Sequence, residues 1–201
     1  MLWHRRMGEL QSTELTPCRW AKGEDYLHYH DTEWGVPCRV RSKLFEKLCL
    51  EGQQAGLSWI TVLRKREHYR ACFHNFIPEK IALMTDDEIN ILLQDTGLIR
   101  SKLKLYSIRK NAQALLAFEE QGGNFVDFVW SYVNNEPIIN TPRRMADIPT
   151  QTDTSAAMSK ALKKIGFSFV GPTICYAYMQ SMGLINDHFI DCPQHPHNRL
   201  F

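Results

Sequence analysis

Apolar residues recur three and four positions apart along most of the chain, which is the spacing of an amphipathic helix. After Ser42, for example, Leu44 and Leu48 fall on one side of a predicted helix. The same reasoning predicts helices that begin near Ser58 and at Pro78. A capping box at Thr85 predicts the start of another helix, with Gly97 as its stop. Further helices are predicted over residues 101–120, 125–133, 153–164 and 172–182. Strand patterns are rare, and residues 137–140 are at best a short extended piece. The sequence therefore predicts an all-α fold.

Length and composition are those of a small globular protein. The 201 residues are 44% hydrophobic, which is enough for one compact domain or two small lobes. No apolar run approaches the roughly 18 residues of a membrane helix, and no secretory leader is visible, so no membrane association is expected. We expect a flexible N-terminal extension over residues 1–17, a folded unit over 18–192 and a C-terminal tail over 193–201.

The cysteines indicate a reducing compartment. Six cysteines could in principle form disulfides, but Cys49 and Cys175 fall inside apolar helical patterns, as buried reduced thiols do. A cytoplasmic location is therefore expected.

The formal net charge is only +2, but the charges are segregated along the chain. Basic residues cluster in segments 64–66, 100–110 and 160–164, whereas acidic residues cluster in 86–88. A nearly neutral total can therefore contain a basic face suited to a phosphate backbone. The alternative is that each cluster is an ordinary solvated helix face.

Four potential metal ligands lie near the two ends of the sequence: Cys18, His30, His188 and Cys192. Two thiolates and two imidazoles complete the tetrahedral shell that Zn²⁺ prefers. If the two groups converge, one zinc ion joins the N- and C-terminal segments. A full shell leaves no position for a catalytic water, which indicates a structural role. His195 and His197 are a weaker alternative pair in a tail expected to be exposed.

Glu51 combines a negative charge with an apolar environment. At helical spacing it shares a row with Leu44, Leu48 and Ala55. A carboxylate beside an apolar stripe is costly unless it has a partner, so Glu51 is a candidate catalytic residue. The alternative is a helix-end glutamate that binds backbone amides or an arginine.

The connection between Gly166 and Gly171 has the composition of a tight turn. These glycines allow close backbone approach, and Pro172 suits the first turn of the next helix. Backbone amides at such a turn can hold a phosphate, and Lys163 and Lys164 lie just before it. The alternative is an ordinary turn between two helices.

Aromatic residues surround the first two potential metal ligands and follow Glu51. Each can be an ordinary core residue, but together they can form a box that stacks a planar base or attracts a cation. They are Trp20, Tyr26, Tyr29, Trp34 and Trp59.

Four segments carry a recognisable pattern: residues 33–37 (EWGVP), 50–60 (LEGQQAGLSWI), 169–176 (FVGPTICY) and 186–188 (NDH). They resemble the signatures of the bacterial 3-methyladenine DNA glycosylase I family, and the resemblance extends from about Cys18 to Cys192. It implies a two-lobed fold of the helix-hairpin-helix glycosylase superfamily. The hairpin that grips DNA would be residues 166–171, and the family's zinc ligands fall on the four residues named above.

The resemblance also implies an activity, the hydrolytic excision of 3-methyladenine from double-stranded alkylated DNA by a monomeric repair enzyme. N3-methylation gives the adenine a positive charge, so the base leaves as a neutral molecule and needs little help from a general acid. Glu51 would stabilise that charge and accept hydrogen bonds from the exocyclic amine. The base would be flanked by Tyr26, Tyr29 and Trp59, with Trp20 closing the pocket and Leu57 filling the vacated stack.

Two departures from the wider superfamily refine this expectation. Its lyase members place a lysine just after the hairpin glycine, where this chain has Pro172 and Thr173, so a monofunctional glycosylase is expected. Its catalytic aspartate lies in the region of Asp187, which directly precedes His188 and is assigned here to support of the metal site.

Two other classes of protein remain open. One is a zinc-stabilised helical DNA-binding or interaction module without catalysis, which a carboxylate on an apolar row argues against. The other is a hydrolase in which zinc activates water, which needs an open coordination position.

Overall fold

The computed structural model describes residues 15–199, and over these residues the protein is predominantly helical. The α-helices are α1 (Glu24–Thr32), α2 (Arg41–Gln54), α3 (Trp59–Leu63), α4 (Arg66–Cys72), α5 (Pro78–Ile81), α6 (Asp86–Leu92), α7 (Lys102–Glu120), α8 (Phe125–Ser131), α9 (Asp153–Ile165) and α10 (Pro172–Ser181). Short 3₁₀ turns lie at His74–Phe76, Met145–Asp147 and Pro196–Asn198, and the two strands are β1 (Ile138–Ile139) and β2 (Ile185–Asn186). The predicted helical class is confirmed.

Helix α2 forms the centre of the core. Nine of its 14 residues are buried, and it packs against α10, α7, α3 and α8. The largest fully buried side chains of the core include Trp130, Tyr69, Tyr178 and Phe45. Because α2 is buried on most of its circumference, its polar side chains must find partners inside the protein.

Local capping chemistry sets several of the predicted helix starts. The Thr85 hydroxyl accepts a hydrogen bond from the Glu88 amide at 3.2 Å, and the Glu88 carboxylate accepts one from the Thr85 amide at 2.6 Å, so the predicted capping box is confirmed. Pro78 and Pro172 occupy first helical turns, also as predicted. The prediction of Gly97 as the helix stop is wrong, because α6 ends at Leu92 and Gly97 lies in the following loop.

Two helices, α1 and α4, have too weak an apolar pattern to be recognised in the sequence. Only Tyr29 and His30 are buried among the nine residues of α1, and only Tyr69 is buried in α4. The two helices are held together instead by an ion pair between Arg66 and Glu33, with oxygen–nitrogen distances of 2.6 and 2.8 Å. Tertiary contacts therefore support these helices more than sequence periodicity does.

The two short strands pair in parallel, with Ile138 opposite Ile185 and Ile139 opposite Asn186. The predicted extended piece at 137–140 is thus confirmed as β1. Strand β2 ends two residues before His188, so this pairing positions the C-terminal group of potential metal ligands.

The two ends of the described chain lie together, since the Thr16 amide donates to the Asp191 carbonyl at 3.0 Å. Residues 1–14 of the predicted N-terminal extension lie outside the described residues. The predicted exposure of the tail is wrong for His195, which is buried with its Nε2 2.9 Å from the Asn140 carbonyl, whereas His197 is exposed. Among the described helices, none has the length and apolar character needed to cross a membrane.

Candidate active site and metal site

A cavity of about 270 Å³ lies between helices α1, α2, α3 and α10. This volume is slightly below the roughly 300–1,000 Å³ of pockets for drug-sized ligands, so the cavity suits one small planar molecule. Its lining residues are Trp20, Tyr26, Tyr29, Trp34, Glu51, Gln54, Trp59, Met145, Ile148, Ala177 and Gln180. The structure therefore brings together, around one cavity, the catalytic and substrate-binding residues predicted from the sequence.

Glu51 lies on α2 with only 4% of its surface exposed. Its carboxylate has the partner that burial demands, because Oε1 lies 2.9 Å from Nζ of Lys47, one helical turn earlier. The sequence alone is also compatible with a helix-end glutamate bound to backbone amides or an arginine. Glu51 instead combines an internal ion pair with a place in the cavity wall.

Lys47 is the main site feature that the sequence analysis missed. Its Nζ also donates a hydrogen bond to the Tyr29 hydroxyl at 2.9 Å and lies 3.0 Å from the centroid of the Trp59 ring. Burial lowers the pKa of Lys47 to about 8, even though Glu51 opposes this shift. The spacing of Lys47 and Glu51, four residues apart on a helix, was the signal that could have revealed the pair.

The aromatic residues of the cavity form a continuous set. Trp20 lies with its ring centroid 4.9 Å from those of both Tyr26 and Trp34, and Tyr29 lies 5.6 Å from Trp59. Burial raises the pKa of Tyr26 and, together with the nearby Glu51 charge, that of Tyr29. Both tyrosines therefore remain neutral phenols that can flank a base without repelling Glu51.

Polar contacts also position a cavity residue that the sequence did not reveal. Gln180 of α10 donates a hydrogen bond to Asp187 Oδ2 at 2.7 Å, and the Tyr176 hydroxyl donates to the same oxygen at 2.6 Å. The other oxygen of Asp187 accepts from the Asn140 amide at 2.8 Å. The carboxylate of Asp187 thus contacts the cavity wall and the loop after β1, and its assignment to support of the metal site is wrong.

The four potential metal ligands converge into one buried cluster, although Cys18 and His188 are 170 residues apart in the sequence. His188 Nδ1 lies 3.1 Å from His30 Nε2, 3.6 Å from Cys18 Sγ and 3.5 Å from Cys192 Sγ. Cys192 Sγ lies 3.4 Å from His30 Nε2. All four ligand atoms therefore surround one point and can hold a metal ion.

The outer nitrogens of both imidazoles are already engaged. His30 Nδ1 lies 2.7 Å from the Asp31 carboxylate, and His188 Nε2 lies 3.0 Å from the Trp34 carbonyl. When each outer nitrogen carries the donated proton, the inner nitrogens present lone pairs to the centre of the cluster. The neighbouring Cys18 thiol and the imidazoles of His188 and His30 lower the pKa of Cys192, whereas Cys192 and burial raise that of Cys18. Zn²⁺ binds cysteine as thiolate, and the position of Cys192 beside two imidazoles favours that form.

The metal cluster and the cavity share a wall of aromatic residues. The Trp20 ring lies 5.2 Å from that of His30, and the Trp34 ring lies 4.7 Å from that of His188. Because His30 directly follows Tyr29 on α1, the cluster also fixes the helix that carries both cavity tyrosines.

A second group of potential ligands lies on the surface and consists of His68, Cys72 and Asp95. His68 Nε2 and Asp95 Oδ2 form a direct ion pair at 2.7 Å, so these two groups already satisfy each other. The buried cluster has the full set of four ligands and is shielded from water, so it fits Zn²⁺ better than the surface group.

The connection between α9 and α10 is the predicted tight turn, and it packs beside Glu51. Gly166 ends α9 in the left-handed conformation with φ of 115°, which favours glycine. A Cβ on Gly52 would lie only 3.0 Å from the Cβ of Phe169, so a glycine next to Glu51 lets the turn approach α2. Asn111 of α7 holds the turn by accepting from the Ser168 amide at 2.8 Å.

The five residues predicted to contact DNA lie outside the cavity lining, and three of them, Leu57, Lys163 and Lys164, are exposed, whereas Gly166 and Gly171 are half-buried. Lys163 and Lys164 are exposed in the last turn of α9, immediately before Gly166. Leu57 is exposed in the turn between α2 and α3, and its backbone is held by hydrogen bonds with Gln54 at 2.6 and 2.7 Å. This turn separates two cavity residues, Gln54 and Trp59, so Leu57 lies next to the cavity in the sequence.

Known proteins share both this fold and much of this sequence. A DNA-3-methyladenine glycosylase from Haemophilus influenzae is 58% identical over 179 residues, which are 89% of this chain and 97% of that protein. The crystal structure of a 3-methyladenine DNA glycosylase I superposes with a TM-score of 0.89 at 54% identity, covering 90% of this chain and all of the other. A variant of 3-methyladenine DNA glycosylase I in complex with 3-methyladenine superposes with a TM-score of 0.84 at 40% identity, covering 87% of this chain and 94% of the other.

The helical fold and the high sequence identity that the chain shares with proteins named as glycosylases define the class of the protein as a glycosylase. The model of the methyladenine glycosylase family matches residues 20–195, and the chain belongs to that family.

Proposed function

We propose that this protein excises 3-methyladenine from double-stranded alkylated DNA by hydrolysing the N-glycosidic bond, without a lyase step. The observation that carries the proposal is the buried Glu51 carboxylate in the wall of a cavity in which half of the other lining residues are aromatic. A planar cation is the ligand that such a combination of charge and π faces favours. The high identity to proteins named for this activity supports the same conclusion.

The chemistry requires little more than a site that accepts the damaged base. The lesion leaves the base stack, at a lower cost than an intact base, and enters the cavity between the aromatic rings. Glu51 accepts a hydrogen bond from the exocyclic amine and stabilises the positive charge of the methylated base. When water replaces the base at the sugar, the electrons of the glycosidic bond pass to the base, which leaves as a neutral molecule.

The DNA is held, in this proposal, by the turn at 166–171 acting as the hairpin of a helix-hairpin-helix fold. Its backbone amides and the exposed Lys163 and Lys164 would contact phosphates. Leu57 would enter the stack from which the base is withdrawn, as apolar wedges do in other DNA-binding proteins. These contacts need only one copy of the chain, which supports a monomeric enzyme.

The absence of a lyase step follows from the position of the lysines. Pro172 and Thr173 follow the hairpin glycine, where a lyase would need a lysine. Lys47 is near the cavity, but it is not among the lining residues and its amine is directed to Glu51 and Tyr29. Among the described residues that line the cavity, none therefore has an amine available for a Schiff base with the sugar.

The metal in this proposal is one structural Zn²⁺ held by Cys18, His30, His188 and Cys192. When bound, it supplies a cross-link between the two ends of the domain and no chemistry on the substrate. A metal-dependent hydrolase is disfavoured because all four positions are taken by protein ligands. A module that only binds DNA is disfavoured because it has no use for a buried carboxylate in a base-sized cavity.

Chromatography of the bases released from methylated DNA tests the proposed activity. We expect the protein to release 3-methyladenine and to leave 7-methylguanine in the DNA, because guanine has a carbonyl oxygen at the position of the adenine N6 amine, and two oxygen acceptors repel each other. Untreated DNA and heat-inactivated protein give the background of spontaneous depurination. No release of 3-methyladenine above this background would show that the proposed function is wrong.

Replacement of Lys163 and Lys164 by glutamine tests the DNA-binding surface. Each lost phosphate contact reduces the dependence of log K on log salt concentration by about 0.9, so the double variant should show a slope smaller by up to roughly 2. Fluorescence anisotropy with duplex DNA at several salt concentrations measures this slope. Lys80→Gln, a change of an exposed lysine on α5, is the matched control, and an unchanged slope in the double variant would exclude these lysines from the interface.

A further inference from the structure

Lys47 lies immediately behind the wall of the cavity and contacts three of the residues that form it. Its Nζ lies 2.9 Å from Glu51 Oε1, 2.9 Å from the Tyr29 hydroxyl and 3.0 Å from the centroid of the Trp59 ring. Only 5% of Lys47 is exposed. One ammonium group therefore connects the carboxylate and two of the aromatic residues assigned to base binding.

The Lys47 ammonium group thus already pairs with Glu51, the carboxylate that is proposed to bind the cationic base. Two positive charges beside the same carboxylate in a buried site repel each other strongly, because the effective dielectric constant is far below that of water. The ammonium form of Lys47 therefore weakens the attraction between Glu51 and the base, whereas the amine form leaves the carboxylate free to act. Both forms can still donate a hydrogen bond.

The other charged groups around Lys47 do not replace Glu51 as its partner. Glu33, the residue that follows α1, is already bound by Arg66 on α4 at 2.6 and 2.8 Å. Arg66 lowers the pKa of Lys47 and Glu33 raises it, in addition to the larger effects of burial and of Glu51. The remaining titratable neighbour, Tyr29, is held neutral by burial, which raises the pKa of its phenol.

We propose that Lys47 is a positioning residue that holds Glu51 and Tyr29 in place and, by gaining or losing its proton, sets how strongly the site favours a cationic base. This inference rests on the proposed function. As the pH rises, Lys47 gives its proton to solvent, and the site then has one positive charge fewer. Because the pKa of Lys47 is lowered to about 8, the change falls between pH 7 and pH 9.

A pH profile of excision tests this proposal. We expect the kcat/KM for release of 3-methyladenine from methylated duplex DNA to rise about five- to tenfold between pH 7 and pH 9, after subtraction of spontaneous depurination. Binding of free 3-methyladenine, measured by tryptophan fluorescence, should not rise in this way, because the released base is neutral. The contrast separates an effect of charge from a change in the shape of the cavity.

Variants of Lys47 provide the decisive comparison. Lys47→Met removes the charge and should abolish the rise, whereas Lys47→Arg keeps its charge through pH 9 and should remain at the low activity of the protonated form. Lys43→Met, an exposed lysine one turn earlier on α2, should retain the profile of the original protein. A rise that persists in Lys47→Met would overturn the inference and leave the proposed function standing. No release by the unaltered protein at any pH would overturn both.

An NMR titration of the lysines in the unaltered protein tests the inference even if the Lys47→Met variant does not fold. We expect the ¹³Cε signals of the lysines to include one that titrates near pH 8, which is well below the roughly 10.4 of a lysine in a model peptide. If no lysine signal titrates near pH 8, Lys47 keeps its charge over the working range and the inference is wrong.

Discussion

Replacement of Glu51 by glutamine is expected to lower the rate of 3-methyladenine release by about 10- to 100-fold while the fold is kept. A hydrogen bond to a charged group contributes about 1.5–3 kcal/mol, and each 1.4 kcal/mol corresponds to a tenfold change in rate. Glutamine has nearly the same size as glutamate, and its carbonyl can still accept the hydrogen bond from Lys47. The negative charge is therefore the property that the substitution removes.

Single-turnover release of base from methylated duplex DNA measures this effect without interference from product release. Glu46→Gln is the matched control, because Glu46 lies on the same helix and forms an ion pair with Arg70 at 2.7 Å outside the cavity. Circular dichroism and thermal unfolding establish that both variants are folded. Release at the original rate in Glu51→Gln would remove this carboxylate from the mechanism.

Removal of the metal is expected to destabilise the whole domain. The cluster closes a loop of 170 residues between Cys18 and His188, and closing a loop of about 100 residues contributes roughly 4–5 kcal/mol in the chain-entropy model of cross-links. For a domain of this size, such a loss corresponds to a fall of about 10 to 20 °C in the melting temperature. Incubation with a strong chelator, followed by thermal unfolding, should show this fall and its reversal by added Zn²⁺.

Two cysteine variants decide which group of ligands holds the metal. Cys192→Ser should reduce bound zinc from about one ion per chain to nearly none and should reproduce the low melting temperature of the chelated protein. Cys72→Ser changes the surface group of His68, Cys72 and Asp95 and should keep both the zinc and the stability. A chelated protein that stays folded with an unchanged melting temperature but loses activity would contradict a structural role for the metal.

Much of the local structure can be read directly from the sequence because it depends on neighbouring residues. The capping box at Thr85, the helical turn at Pro172 and the glycine end of α9 are all interactions within a few residues. Helices α1 and α4 could not be found in this way, since their apolar faces are too small. The prediction at Gly97 failed for a different reason, because a glycine alone does not show where a helix ends.

The sequence by itself determined the chemical inventory of the protein: two thiols, two imidazoles, one carboxylate on an apolar row and a set of aromatic residues. Side-chain chemistry does not depend on folding, so these assignments needed no structure. The tertiary structure alone decided which of these groups meet. In the folded protein Lys47 forms an ion pair with Glu51, Gln180 donates a hydrogen bond to Asp187, and His195 is buried against the loop after β1. The contacts of Gln180 and His195 join residues of separate elements, and the spacing of residues in the sequence does not encode them. The spacing of Lys47 and Glu51 allows their contact, but only the tertiary structure shows that both side chains are buried.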